Sequence, residues 1–150
     1  MLRLHGVIGH ETEGPVRARL HALAHRRAVE YLFVPAADAD RKRFRIPTDQ
    51  GTDCAVSLDR DEALSDGAVL YLDEQKAIVV RFGRQRIWRL RPSDAAAALK
   101  LGWNAGNLHW RVRFERETLA VMLDRPVEDY RARVAPLLES GEIVEMADDV

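Results

Sequence analysis

The sequence predicts an α+β fold in two domains, because the pattern of apolar residues changes partway along the chain. From residue 43 to residue 82, short segments of alternating polarity are separated by turn residues, which is typical of a small β-sandwich or barrel. After residue 86 the predicted order is strand, helix, strand, strand, helix, strand, the split βαβ pattern of ferredoxin-like domains. We therefore predict a β-rich domain at residues 1–84 and a ferredoxin-like domain at residues 85–150.

The first domain is predicted to be built from hairpins. Residues 43–46 and 54–58 alternate in polarity and flank the turn-forming stretch 48–52, which predicts one hairpin. A second turn is expected at 64–67, where Gly67 is free to adopt positive φ. Strands at 68–72 and 77–82 follow it.

The first helix of the second domain follows a strand at 87–90. Ser93 or Asp94 can cap its free N–H groups, and residues 95–101 are good helix formers. Leu99 and Trp103 are four residues apart, so we expect them to share the face that packs on the sheet. Gly106 is expected to end this helix in a left-handed cap, with His109 beginning the next strand.

The rest of the second domain repeats the pattern. Strands are predicted at 110–114 and 118–123. Asp124 and Pro126 begin a second helix. Its predicted apolar face comprises Val127, Tyr130, Val134, Leu137 and Leu138. Gly141 ends this helix, and residues 142–146 form the last strand.

Composition excludes several classes of protein. The 150 residues are 47% hydrophobic and 31% charged, which indicates a globular chain, and no apolar run is long enough to span a bilayer. The first residues lack the features of a signal peptide, and Cys54 is the only cysteine, so we expect a cytoplasmic protein in which Cys54 is a small buried apolar side chain. A net charge of −1 argues against a general nucleic-acid binder.

No motif of an enzyme is evident. The sequence has no phosphate-binding glycine loop, no order of residues typical of a catalytic triad and no zinc-protease helix. Paired carboxylates lie in predicted turns or at the end of the chain, where we expect solvated charge: Asp59 and Asp61, Asp73 and Glu74, and Asp148 and Asp149. We therefore expect a protein that is not an enzyme.

The stretch from Trp103 to His109 carries a resemblance to a known family. It is similar to the signature Tyr-His-Leu-Gly-Asn-Arg-His of the UreE family of urease accessory proteins, which are nickel metallochaperones. Gly106, Asn107 and His109 match, whereas Asn104 replaces the first histidine and Leu108 the arginine. Upstream, residues 41–45, 49–52 and 64–70 are similar to the N-terminal hairpin and turn of that family.

The resemblance implies a homodimer in which His109 of each protomer binds Ni²⁺ at the two-fold axis, with urease apoprotein and its GTPase accessory protein as partners. It also implies a β-rich domain that binds protein and a ferredoxin-like domain that binds metal and dimerises. Imidazole also suits Zn²⁺ and Cu²⁺. Two imidazoles are too few for a closed site, and Asn107 or Asn104 can orient the ring, with Gly106 as a supporting residue. Because many family members end in a histidine-rich tail and this sequence ends without one, we expect a single interfacial site.

The other histidines are His5, His10, His21 and His25. On a helix, His21 and His25 would lie about 6 Å apart and could chelate a metal, whereas on a strand they would be about 13 Å apart, too far to do so. Residues 16–25 fit either period, and the family resemblance favours β structure here. The pair is therefore a secondary metal candidate, and His5 and His10 have no readable role.

Two alternatives belong to other functional classes. The first is a protein-interaction module with the same fold and no functional metal binding, which the replacements at Asn104 and Leu108 favour. The second is RNA binding through the arginine-rich stretch 81–91, which also contains Trp88. The ordinary interpretation of that stretch is a strand with one basic, solvated face.

Overall fold

The computed structural model describes residues 1–147, and the chain divides into two compact units, Met1–Arg84 and Gln85–Val150. The fold class is α+β, as predicted, with a sheet-rich N-terminal unit and a later unit in which strands and helices alternate. Within residues 1–147, no helix is long and apolar enough to cross a membrane. The expectation for Asp148 and Asp149 lies outside the described residues.

Residues 1–84 form seven strands, one α-helix and a short 3-10 turn. In chain order these are β1 (Leu2–Leu4), β2 (Gly9–His10), α1 (Gly14–His25), β3 (Val29–Val34), the 3-10 turn (Ala36–Asp38), β4 (Arg43–Pro47), β5 (Asp53–Ser57), β6 (Ala68–Leu72) and β7 (Ala77–Phe82). One sheet has the order β1-β5-β4 and the other the order β2-β6-β7-β3. The two outer pairs β1–β5 and β3–β7 are parallel, and the others are antiparallel.

The two sheets of this unit enclose one apolar core. Leu4 and Val56 from the first sheet pack with Leu32, Leu70 and Ile78 from the second. The arrangement is a small sandwich, as predicted. The predicted hairpin is present as β4 and β5, the strands predicted at 68–72 and 77–82 are confirmed, and Gly67 has a φ of +86° in the turn before β6.

The segment 16–25 is a helix, and the β structure favoured from the family resemblance is wrong. Pro15 lies in the first turn of α1, where its missing N–H costs no hydrogen bond. Val16, Leu20 and Leu23 follow at helical spacing and pack against a second apolar cluster that includes Val79. Tertiary packing of this face therefore selects the helical period from the two that the sequence allows.

The second unit has the ferredoxin-like arrangement. Its elements are β8 (Arg86–Pro92), α2 (Ala95–Asn107), β9 (Val112–Glu115), β10 (Thr118–Leu123), α3 (Val127–Arg133), α4 (Ala135–Glu139) and β11 (Ile143–Glu145). The sheet order is β11-β8-β10-β9, with all neighbours antiparallel. The core includes Trp88, Trp110 and Tyr130, whose ring centroids lie 5.3–6.4 Å apart.

Two details of this unit differ from the prediction. The second helix is divided into α3 and α4 at Val134, because Pro136 has no N–H for the helical ladder and its ring would clash with the carbonyl one turn earlier in a continuous helix. Four of the five residues of its predicted apolar face are nevertheless buried, and Leu138 is partly buried against them. The strand predicted to begin at Trp110 begins at Val112.

Candidate metal centre

The candidate metal ligand, His109, follows the C-terminal end of α2. The first turn of this helix is capped as predicted. Asp94 is the N-cap, and its Oδ1 accepts a hydrogen bond of 2.7 Å from the N–H of Ala97. Ala97, Leu101 and Ala105 follow at intervals of four residues and form the buried face. These contacts fix the rotation of α2 about its own axis against the sheet.

The opposite face of α2 is apolar and exposed. The exposed fractions of Leu99 and Trp103 are 76% and 69%, so the prediction that they pack on the sheet is wrong. The aromatic rings of Trp88, Trp110 and Tyr130 occupy much of the core, so that α2 contributes two alanines and one leucine there, while Leu99 and Trp103 remain exposed. We call Leu99 and Trp103 the outer face of α2.

The end of α2 differs from the prediction in a way that bears on His109. Gly106 lies inside the helix and does not form a left-handed cap, because α2 continues to Asn107 with Leu108 as the C-cap. The residue in the left-handed conformation is His109, with a φ of +56°. Its N–H donates to the carbonyl of Gly106 at 3.1 Å, and the N–H of Trp110 donates to the carbonyl of Ala105 at 2.9 Å. This pair of hydrogen bonds is the Schellman closure of a helix.

His109 therefore lies in the closing turn of α2 and does not begin a strand. A side chain in the left-handed conformation costs about 1–2 kcal/mol relative to the right-handed one, which is why glycine is usual at this position. The backbone of His109 is nevertheless fixed, because the buried Trp110 follows it directly. A half-buried imidazole is thus held at a rigid corner of the ferredoxin-like unit.

The supporting residues predicted around His109 have different surroundings. The Nδ2 of Asn104 donates to the carbonyl of Lys100 at 2.8 Å, one helical turn earlier. This bond keeps the amide of Asn104 along its own helix. Asn107 is exposed on the last turn of α2, two residues before His109. A role for either amide in orienting the imidazole stays a prediction.

Within residues 1–147, no three side chains of His, Cys, Asp or Glu come together in a way that could hold a metal ion. A protein metal site that binds tightly generally has three or four such ligands. The described part of one chain can therefore offer only an incomplete set of ligands to a metal at His109. Other ligands would come from a second chain, from water or from the protein that receives the metal.

The structure brings together the other pair of candidate ligands. His21 and His25 lie one turn apart on the exposed face of α1, with their Nε2 atoms 3.1 Å apart. Their ring centroids are 4.6 Å apart, and the rings are nearly perpendicular. The helix thus gives the spacing that the sequence alone left open.

The remaining histidine and cysteine contacts fit structural roles. His10 has both ring nitrogens engaged, Nδ1 with the hydroxyl of Thr12 and Nε2 with the carbonyl of Asp66, each at 2.8 Å. Cys54 is buried, as predicted, and burial together with the nearby charge of Glu30 raises the pKa of its thiol. A thiol with a raised pKa is a poor nucleophile and a poor metal ligand.

Three arginines of the arginine-rich stretch, Arg81, Arg89 and Arg91, are paired with acids. Arg81 is buried and makes two hydrogen bonds to Glu11, at 2.8 and 3.1 Å. In the second unit, Arg89 donates to Glu115 at 2.7 Å, and this arginine contributes to holding the pKa of that carboxyl below its ordinary value. Neutralised guanidinium groups give little attraction for phosphates, which weakens the case for RNA binding.

Comparisons with known proteins match almost the whole chain. The family model described as UreE urease accessory protein, N-terminal domain, matches residues 15–83. The chain is 46% identical over 143 residues to Urease accessory protein UreE 1 of Pseudomonas syringae pv. syringae strain B728a, covering 95% of this chain and 98% of the relative. The UreE 1 protein of Pseudomonas syringae pv. tomato is 45% identical over the same shares. Urease accessory protein UreE of Natronomonas pharaonis is 33% identical, over 86% of this chain and 64% of the relative.

Proposed function

The chain belongs to the UreE family of urease accessory proteins, and from that premise we propose that it is a nickel metallochaperone that binds Ni²⁺ through His109 at a homodimer interface. Proteins of this family are accessory chaperones of urease maturation and are not enzymes. Nickel is therefore cargo, and the protein's task is to bind it, protect it and release it to the next protein.

The position of His109 is the observation that carries this proposal. Arg27 and Arg116 also have positive φ, so a left-handed backbone alone does not identify a site. His109 differs because it coincides with the last histidine of the signature and lies at the end of a helix whose outer face is exposed and apolar. A fixed backbone lowers the entropy lost when the imidazole binds a metal.

The outer face of α2 supports the homodimer. Leu99 and Trp103 are large apolar side chains that water surrounds in the single chain, and tryptophan is among the residues that contribute most at protein interfaces. In a two-fold interface the same patch meets itself, so one α2 packs near its copy. We place the two-fold axis near the C-terminal ends of the two helices, which brings the His109 side chains of the two protomers together.

Such a site suits a carrier. Two imidazoles are borderline ligands that bind Ni²⁺ and also suit Zn²⁺ and Cu²⁺. Because two histidines leave coordination positions open to water or to a recipient's ligands, metal exchange does not require the protein to unfold. A protonated imidazole does not bind metal, so binding weakens in acid.

The remaining assignments follow from the family. We assign protein binding to the N-terminal unit, residues 1–84, and metal binding with dimerisation to residues 85–150. Urease apoprotein and its GTPase accessory protein are the proposed partners, and the cytoplasm is the proposed location. The buried thiol of Cys54 is consistent with a reducing compartment.

Calorimetric titration of tag-free protein with Ni²⁺ at neutral pH tests the proposal. The titration uses the His21→Ala/His25→Ala background, so that binding on α1 does not contribute. We expect about one Ni²⁺ per two chains, lost on adding His109→Ala and retained on adding His5→Ala, which removes an exposed histidine elsewhere. Unchanged stoichiometry in the His109→Ala variant contradicts the site. No binding in the background protein supports the alternative, a UreE-like interaction module without functional metal binding.

A further inference from the structure

We propose that His21 and His25 form a second metal site, a two-imidazole chelate for divalent transition-metal ions on α1 of the N-terminal unit. The site is independent of the proposed function at His109, because both ligands come from one helix of one chain. Each chain would therefore carry one such site whether or not it dimerises.

The distance between the two nitrogens fits a shared metal. Metal–imidazole bonds are about 2.0–2.1 Å long, so two nitrogens that bind one ion at angles between 90° and 109° lie about 2.9–3.4 Å apart. The Nε2 atoms of His21 and His25 are 3.1 Å apart, within that range. Because the hydrogen bond directs the lone pair of one ring at the other ring, binding requires the rings to turn until both lone pairs point at the shared ion, while the backbone of α1 stays as it is.

The proton between the two rings can be accounted for. At 3.1 Å one Nε2–H donates to the lone pair of the other Nε2, so the two neutral rings are different tautomers. When a metal binds, the donor ring becomes its other tautomer, with the proton on Nδ1, and both Nε2 lone pairs bind the ion. No net proton is released when both rings begin neutral.

The helix holds both ligands in place. Leu23, one of the residues between them, is buried, and Val16 and Leu20 pack against the same cluster, so α1 is anchored by the opposite face. The end of α1 is closed by a hydrogen bond of 3.0 Å from the N–H of Ala28 to the carbonyl of Leu23. This closure keeps the last turn, which contains His25, from fraying.

The electrostatics of the site set a moderate affinity. Arg17 is four residues before His21 on the same face, and its positive charge opposes a bound cation. The C-terminal end of a helix dipole favours a cation, and His25 is the last residue of α1. With two protein ligands per chain, water completes the coordination, and affinities should follow the order Ni²⁺ < Cu²⁺ > Zn²⁺.

The test uses the His109→Ala chain, which lacks the proposed interfacial ligand. Titration with Cu²⁺ and then with Ni²⁺ is expected to show about one metal per chain. Because loss of an outer-shell partner alone costs about 10–100-fold in metal affinity, removing His21 as a ligand is expected to weaken binding at least about tenfold. The Cu²⁺ complex should show coupling to two nitrogens in its electron paramagnetic resonance spectrum.

A matched control keeps the number of histidines and breaks the geometry. His25→Ala combined with Ala22→His places the two imidazoles on adjacent residues, which do not face each other on a helix. Ala22 is exposed, so α1 should form as before, and circular dichroism checks this. Equal affinity in this control, or no metal bound by the His109→Ala chain, overturns the proposal and leaves the one at His109 untouched.

Discussion

The His109→Gly variant should have a more stable C-terminal unit than the His109→Ala variant, although glycine usually weakens a helix. Both variants lack the imidazole, so their difference isolates the backbone. With φ at +56°, an alanine side chain costs about 1–2 kcal/mol in this conformation. Glycine avoids that cost but gains about 0.4–1 kcal/mol of freedom in the unfolded chain. The net advantage of glycine is therefore about 1 kcal/mol.

Urea unfolding followed by tryptophan fluorescence measures this difference in the relevant unit, because Trp88, Trp103 and Trp110 are the only tryptophans and all lie after residue 84. A small unit unfolds with a slope of about 1 kcal/mol per molar urea, so the His109→Gly midpoint should exceed the His109→Ala midpoint by about 1 M. Variants are compared without metal and at one chain concentration, because dimerisation shifts apparent stability.

An ordinary helical position supplies the control. Ala98 is exposed within α2 and has no positive φ, so Ala98→Gly should lower stability by about 1 kcal/mol. The sign of the alanine-to-glycine change is thus opposite at positions 98 and 109. If His109→Gly is no more stable than His109→Ala, the left-handed closure of α2 is wrong. Neither variant should retain the interfacial metal, which separates loss of binding from loss of folding.

Two further predictions concern the outer face of α2 and the buried carboxylate of the N-terminal unit. In sedimentation experiments, Trp103→Glu should raise the dimer Kd by about 30-fold or more. Phe114→Glu, at a residue 83% exposed in the same unit, should leave the dimer Kd unchanged. Equal effects of the two variants would exclude the outer face as the interface. Thr48→Val removes the hydroxyl that donates to the buried carboxylate of Glu30 at 2.6 Å and should cost about 1.5–3 kcal/mol in the free energy of unfolding at neutral pH. Burial opposes the charge of Glu30, but hydrogen bonds from Thr48, Thr52 and Lys76 hold its pKa below the ordinary value. A lowered pKa contributes stability that is fully present above the ordinary pKa of the carboxyl and is lost as the pH falls through its lowered pKa. The destabilisation by Thr48→Val should therefore shrink below about pH 4. A destabilisation that persists in acid would contradict this reasoning.

The strands were predictable because their signals are local. In β4 and β5 the alternation of polarity and the turn residues between them lie within one short segment, and the same holds for β6 and β7. Helix α1 was not predictable in this way, since its apolar residues fit both periods. Only its packing against the cluster around Val79, which is distant in sequence, distinguishes them.

The orientation of α2 depends on the whole core. Ala97, Leu101 and Ala105 lie on one side of the helix and Leu99 and Trp103 on the other, so apolar residues surround most of it. The expectation that the largest apolar side chains are buried therefore predicts the wrong face of α2. The sheet and α3 already supply bulky rings to the core, and the space left there fits Ala97, Leu101 and Ala105 but not the indole of Trp103.

At the end of α2, the burial of an aromatic side chain competes with the steric cost of a left-handed residue. A cap at Gly106 would have no steric cost but would place Asn107 next in the chain, where a Schellman closure favours an apolar residue against Gly102. A cap at His109 costs about 1–2 kcal/mol but places Trp110 against Ala105 inside the core. Burying a tryptophan side chain of 150–250 Å² contributes about 4–6 kcal/mol. The free energy gained by burying Trp110 exceeds the backbone cost, and it is therefore the core that holds His109 in the left-handed conformation.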